Sequence, residues 1–261
     1  MKHIALAAAL LLSTAACASS SSVNIALPGS FLANAERVPM HRSAWTQSKS
    51  PLTLGDYRVV AFHDAKKTHV KSSSIVPIYL PDPTESTVNN STTKQSLYFH
   101  FNQADQVLWD ADCQARSKGE GFTIRGTGGE VRRNGDMVCT FAQGDAQWSM
   151  ALWQYGDLSK GWTHSVEGQL TDPNGKRWEI EPVYTILGKE GHTLTLPEPV
   201  GFSLKDGDEV VAAVDTLAGN NGTILFSKRL DAQQRSVAAA SLAAVVLHLE
   251  DRGGRVIQDL W

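Results

Sequence analysis

The stretch "DAQQRSVAAASLAAVVLHLEDRGG", residues 231–254, decides how the rest of the chain is read, because its texture is that of one long helix. Asp231 can accept backbone N–H bonds at a helix start, and Val237, Ser241, Ala244 or Val245, and His248 recur at helical spacing. Gly253 and Gly254 stop the run, which predicts a helix over 231–249. Its apolar part falls short of the roughly 20 residues that cross a bilayer. Charges bracket that part as Arg235 on one side and Glu250, Asp251 and Arg252 on the other. Such a helix buries itself against protein, and the preceding chain has to supply the surface.

That preceding chain is strand-like. "DYRVVAFH" (56–63) and "SIVPIYL" (74–80) are rich in branched and aromatic residues, with Pro77 marking an edge or a bulge. "SLYFHFNQ" (96–103) alternates Leu97, Phe99 and Phe101 against Tyr98 and His100. "QVLWDADCQ" (106–114) puts Val107, Trp109, Ala111 and Cys113 on one face, and "MVCTFA" (137–142) does the same for Cys139 and Phe141. "AQWSMALWQYG" (146–156) is apolar on both sides, which predicts a central strand covered on both faces. "DPNG" at 172–175 turns a hairpin within 166–186, and "DEVVAAVDT" (208–216) pairs with "GTILFS" (222–227). The polar "DPTESTVNNSTTKQ" (82–95) and the glycine-rich "RGTGGEVRRNGD" (125–136) read as loops, and 30–49 as an extended arm with one helical turn near 34–37. Many strands followed by one helix predict a mainly β (α+β) fold: an antiparallel β-sandwich-like domain over 51–261 with the C-terminal helix packed on it.

The N-terminus has its own logic. Residues 1–16 carry Lys2, an apolar core from Ile4 to Leu12 and then small residues, the plan of a secretory signal. "STAAC" at 13–17 resembles the lipobox of bacterial lipoproteins, although Thr14 stands where that family most often has leucine. The resemblance covers only this segment and implies cleavage before Cys17, a lipid on Cys17, and attachment to a membrane of the bacterial cell envelope. By the same resemblance, Ala18 in place of aspartate implies the outer membrane, with the domain in the periplasm or at the surface. The serines at 19–22 then form a tether that leads, over 17–50, into the extended arm. An ordinary cleavage after "ACA" (16–18) is the alternative and would release a chain starting at Ser19.

Three cysteines, at 17, 113 and 139, are an odd number for an exported protein. A lipid on Cys17 leaves Cys113 and Cys139 to form a disulfide, which an oxidising periplasm permits; two buried thiols are the alternative.

A formal net charge of −3 gives no basic field for nucleic acid, so none is expected as a partner. The mature chain carries no G-x-S-x-G, H-E-x-x-H or S-x-x-K pattern, and no catalytic residue or cofactor site is assigned. His100, Asp110 and Asp112 could offer ligands to a cation, but acidic side chains on the wet face of a strand are the plainer account, so no metal is assigned. His63 and His69 beside two lysines read as surface residues. Arg125, Arg132 and Arg133 in the glycine-rich stretch could cradle an anion, and a stapled hairpin loop is preferred. Trp148, Trp153, Trp162 and Trp178 crowd into one region. Most large aromatics on alternating strands fill the core, and a ligand patch, if present, is expected at Trp153, Tyr155 and Trp162. The expected function is that of an envelope lipoprotein that binds or scaffolds another envelope component, protein or glycan, without chemistry of its own. An exported glycan- or lipid-acting hydrolase with unidentified carboxylates is the alternative.

Overall fold

The computed structural model describes residues 24–42, 52–74, 86–124, 127–157, 163–188, 191–217 and 221–250. Fifteen strands and two helices follow one another along them. In chain order they are β1 (Asn24–Ile25), α1 (Gly29–Asn34), β2 (Ala35–Arg42), β3 (Leu52–Leu54), β4 (Tyr57–Ser74), β5 (Ser86–Gln103), β6 (Gln106–Ile124), β7 (Thr127–Gln143) and β8 (Ala146–Asp157). Then come β9 (Thr163–Thr171), β10 (Arg177–Val183), β11 (Thr185–Leu187), β12 (Thr193–Thr195), β13 (Gly201–Asp206), β14 (Glu209–Asp215), β15 (Thr223–Ser227) and α2 (Ala232–Glu250).

The expected sandwich is corrected to a closed barrel. Twelve strands pair in the ring order β10-β13-β14-β15-β2-β3-β4-β5-β6-β7-β8-β9, and β1-β11-β12 form a separate small sheet. A sandwich and a barrel give the same alternation along each strand, so period two could not separate them. Only the pairing of β2 with β15, Glu36 opposite Phe226 and Val38 opposite Ile224, closes the ring. That strand comes from the stretch expected to be an extended arm, which instead contains α1 and β2.

The second correction concerns the helix. α2 does not lie on a sheet; it threads the barrel. Every residue from Ser236 to His248 is buried, whichever side of the helix it occupies. The helix packs against β14 and against β4 and β6, which stand on opposite walls of the ring. A barrel of this width would otherwise enclose a lumen, and a helix about 10–12 Å across fills it. Alanines 238, 239, 240, 243 and 244 keep that helix slim enough to fit. Its start is fixed reciprocally: Asp231 Oδ1 accepts from Gln234 N at 2.8 Å, and Gln234 Oε1 accepts from Asp231 N at 3.2 Å.

Inward positions of the wall form one core with the helix, including Leu97, Phe99, Phe101, Trp109, Phe141, Met150, Trp178 and Ile180. Trp109 Nε1 donates to Ser236 Oγ at 2.9 Å across it. Cys113 and Cys139 face each other directly on β6 and β7, both inward and buried, and they form a disulfide. The "DPNG" turn joins β9 to β10, with Asp172 Oδ1 accepting from the N–H groups of Asn174 and Lys176 and with Gly175 at φ 87°.

Three local expectations also change. β8 is covered on its inner face only, since Trp153 stands outward and half exposed. Coverage on both faces belongs to β13, β14 and β15, whose outer residues Ala213 and Leu225 are roofed by Ile25, Phe31 and Ile186. The "loop" at 82–95 supplies the first half of β5 from Ser86, and the glycine-rich stretch from Thr127 lies within β7. Polar and glycine residues there pair as strand because long neighbouring strands offer them ladder partners, which local composition does not reveal. Most of "SIVPIYL", and residues 251–261, lie outside the described residues.

Candidate functional site

The barrel interior is filled, so the chemistry available to a partner lies on the walls and rims. On the outer wall, cross-strand register sets the residues in rows. Arg116, Asp136, Trp153 and Glu167 form one row across β6, β7, β8 and β9. Gln114, Val138, Ala151 and Gln169 form the next. Trp153 is 50% exposed and Val138 53%, and they are diagonal neighbours. The result is an apolar spot ringed by two carboxylates and two amides. An indole face with hydrogen-bonding groups at its margin can stack on a ring or anchor an apolar side chain.

Tyr155, two residues along the same outward face, donates its hydroxyl to Asp157 Oδ2 at 2.8 Å. Asp157 is buried and lies 3.6 Å from Arg132 Nε. Tyr155 therefore flanks Trp153 but is tied to its neighbour. Trp162 and Cys17 lie outside the described residues. Trp148 and Trp178, by contrast, are core, tilted against each other with centroids 5.5 Å apart.

A second cluster sits on the wall of β5 and β6. His100 and Asp110 are directly opposite, with His100 Nδ1 2.5 Å from Asp110 Oδ1. Tyr98 Oη is 3.4 Å from the same ring. Asp112 turns away and accepts from Gln114 Nε2 at 3.1 Å. Among the described residues no group of three His, Cys, Asp or Glu side chains converges on a metal position. His63 and His69 are exposed on β4.

Sequence reasoning missed the polar chain at the rim where α2 ends. His248 Nδ1 lies 2.9 Å from Gln95 Oε1, and Gln95 Nε2 donates to Asp64 at 3.1 and 3.2 Å. His248 and Gln95 are both buried. The signal was present as a histidine on an apolar helix, but its partner sat in a segment taken for a loop. At the opposite mouth a cleft of about 270 Å³ is lined by Trp148, Trp178, Asp172, Asn174, Lys176 and Gln233. Asp172 there is engaged in its turn, and Lys176 Nζ pairs with Asp206 at 2.5 Å, so those groups already serve the fold.

No family model, no curated protein and no solved structure matches this chain.

Proposed function

We propose that this chain is an envelope lipoprotein, anchored through lipid on Cys17 at the outer membrane, whose barrel binds or scaffolds another envelope component through the wall around Trp153. The anchor rests on the signal-like 1–16, the "STAAC" segment and the odd cysteine left once Cys113 and Cys139 pair. The observation that carries the binding surface is Trp153, half exposed beside an exposed Val138 on the outside of a barrel whose interior its own helix fills. Water-facing indole is costly to leave uncovered, and a rim of Asp136, Glu167, Gln114 and Gln169 suits a saccharide-bearing surface.

The test compares the natively expressed protein with Cys17→Ala and Trp153→Ala variants by intact mass, membrane partition and co-sedimentation with isolated cell-wall sacculi. Acyl mass on residue 17, lost with release of the Cys17→Ala chain, supports the anchor. A mature chain beginning at Ser19 and soluble in both cases overturns it. Loss of sedimentation by roughly thirtyfold in Trp153→Ala, as for a buried anchor tryptophan, supports the wall. Unchanged sedimentation removes Trp153 from the function.

A second reading, a hydrolase, would draw on the His100–Asp110 pair as a proton-holding dyad. Hydrolysis of envelope glycan or lipid that His100→Ala abolishes would favour it.

A further inference from the structure

Among the described residues, one long stretch of the barrel wall lacks a strand partner on one side. β3 pairs with β4 only through Thr53 with Arg58 and Leu54 with Tyr57, whereas β4 runs on to Ser74. Among the described residues, β4 from Val59 onward is paired on its β5 side alone. Every second residue of that stretch turns its backbone N–H and C=O toward the open side, a template for another strand.

Two lysines and two histidines stand beside this edge. His63, Lys67, His69 and Lys71 share the outward face of β4. Lys67 stands directly opposite Lys94, and Lys94 directly opposite Arg116. Like charges facing each other across a ladder destabilise it. None of these three cations forms an ion pair among the described residues. The inward side of the same edge carries Asp64, Lys66, Thr68, an exposed Val70 and Ser72. The row that costs stability in the free chain is therefore complementary to carboxylates arriving on the outer side.

We propose that the open edge of β4 accepts an extended acidic segment of a partner protein, which adds as a strand and sets alternate carboxylates against Lys67, His69 and Lys71. Backbone hydrogen bonds hold the segment, and the cations choose it. A second copy of this chain is disfavoured at the same edge, because edge-to-edge pairing would bring Lys67 and Lys71 of one copy against those of the other. This edge lies away from Trp153 on β8, so the two surfaces stand or fall separately.

The experiment uses the full chain and an acetylated eight-residue peptide of alternating glutamate and valine, followed by amide hydrogen exchange and fluorescence anisotropy. Exchange over 59–74 slows when the peptide binds. Binding weakens about tenfold in Lys67→Glu with Lys71→Glu, weakens with salt, and is lost for a peptide N-methylated at alternate backbone nitrogens. Three results overturn the proposal. The peptide leaves 59–74 exchange unchanged; or the charge-reversed variant, with native exchange elsewhere, binds equally well. The third is that 59–74 is already protected in the free chain: protection lost on dilution assigns the edge to a second copy, and protection that persists assigns it to another part of this chain.

Discussion

Trp109 and Ser236 show what a single side chain does inside this barrel. The indole N–H crosses from wall to helix in a fully buried setting. Replacing Ser236 by alanine leaves that donor unpaired, and the expected loss is about 1–3 kcal/mol in urea unfolding. A change within error would mean that the indole finds another acceptor. Asp215 behaves differently. Burial raises its carboxyl above the usual carboxylate range, against the N–H donors of Leu217 and Ile25 and the charge of Arg37, which pull it down. The folded state thus holds this proton more tightly than the unfolded state does. Its stabilising effect is complete at acid pH and is lost as pH rises from the ordinary carboxylate value through the raised one. The stability of the native chain minus that of Asp215→Asn should fall as pH rises above the ordinary carboxylate range. A difference that is flat or grows would refute the direction. Glu36 has the opposite sign, since its hydrogen bonds from Arg235 at 2.6 and 2.8 Å lower its pKa, so its contribution is lost as pH falls.

Among the elements, α2 carries the most. Alanines 238, 239, 240, 243 and 244 are buried at 0–1% exposure on every side of it, so there is no solvent into which a larger side chain could turn. Ala240→Leu is expected to cost about 1–3 kcal/mol or more through overpacking, read as a shift in denaturant midpoint. The same substitution on a helix lying on a sheet, with one wet face, would be close to neutral. The helix and its Asp231 start were legible in the sequence, and so were the inward faces of β5 to β8. The place of the helix was not, although the lack of any polar stripe between Val237 and Leu247 carried the hint. A helix apolar all round is an enclosed one. β2 and the outer half of β5 were illegible for another reason. Their residues are ordinary or polar, and only partners far along the chain, such as Phe226 for Glu36 or Lys118 for Thr92, make them strands. The candidate site shared this split: Trp153 was named only as the place of a patch if one existed, on a strand expected to be covered on both faces, and the Gln95–His248 contact depended on the unseen β5.

Across the whole molecule, the disulfide and the ring closure act on different scales. Cys113 and Cys139 are 26 residues apart and staple two adjacent strands. Replacing both by alanine should cost about 3–4 kcal/mol in the chain-entropy account, with the same loss on reduction of the native chain. If the midpoint does not move with reductant, the unfolded chain is already restricted there. Closure is far less local, since β2 meets β15 and Glu36 meets Arg235 across 199 residues of sequence. Such pairings form slowly, because the intervening loop has to close first.

The order of elements along the chain turns the threaded helix into a matter of timing. The segment that occupies the centre of the ring follows every described strand that surrounds it. Until α2 leaves the ribosome, the strands have nothing to wrap around, and the finished shape is out of reach. A chain built this way is born late-folding, its centre being made after the walls that enclose it.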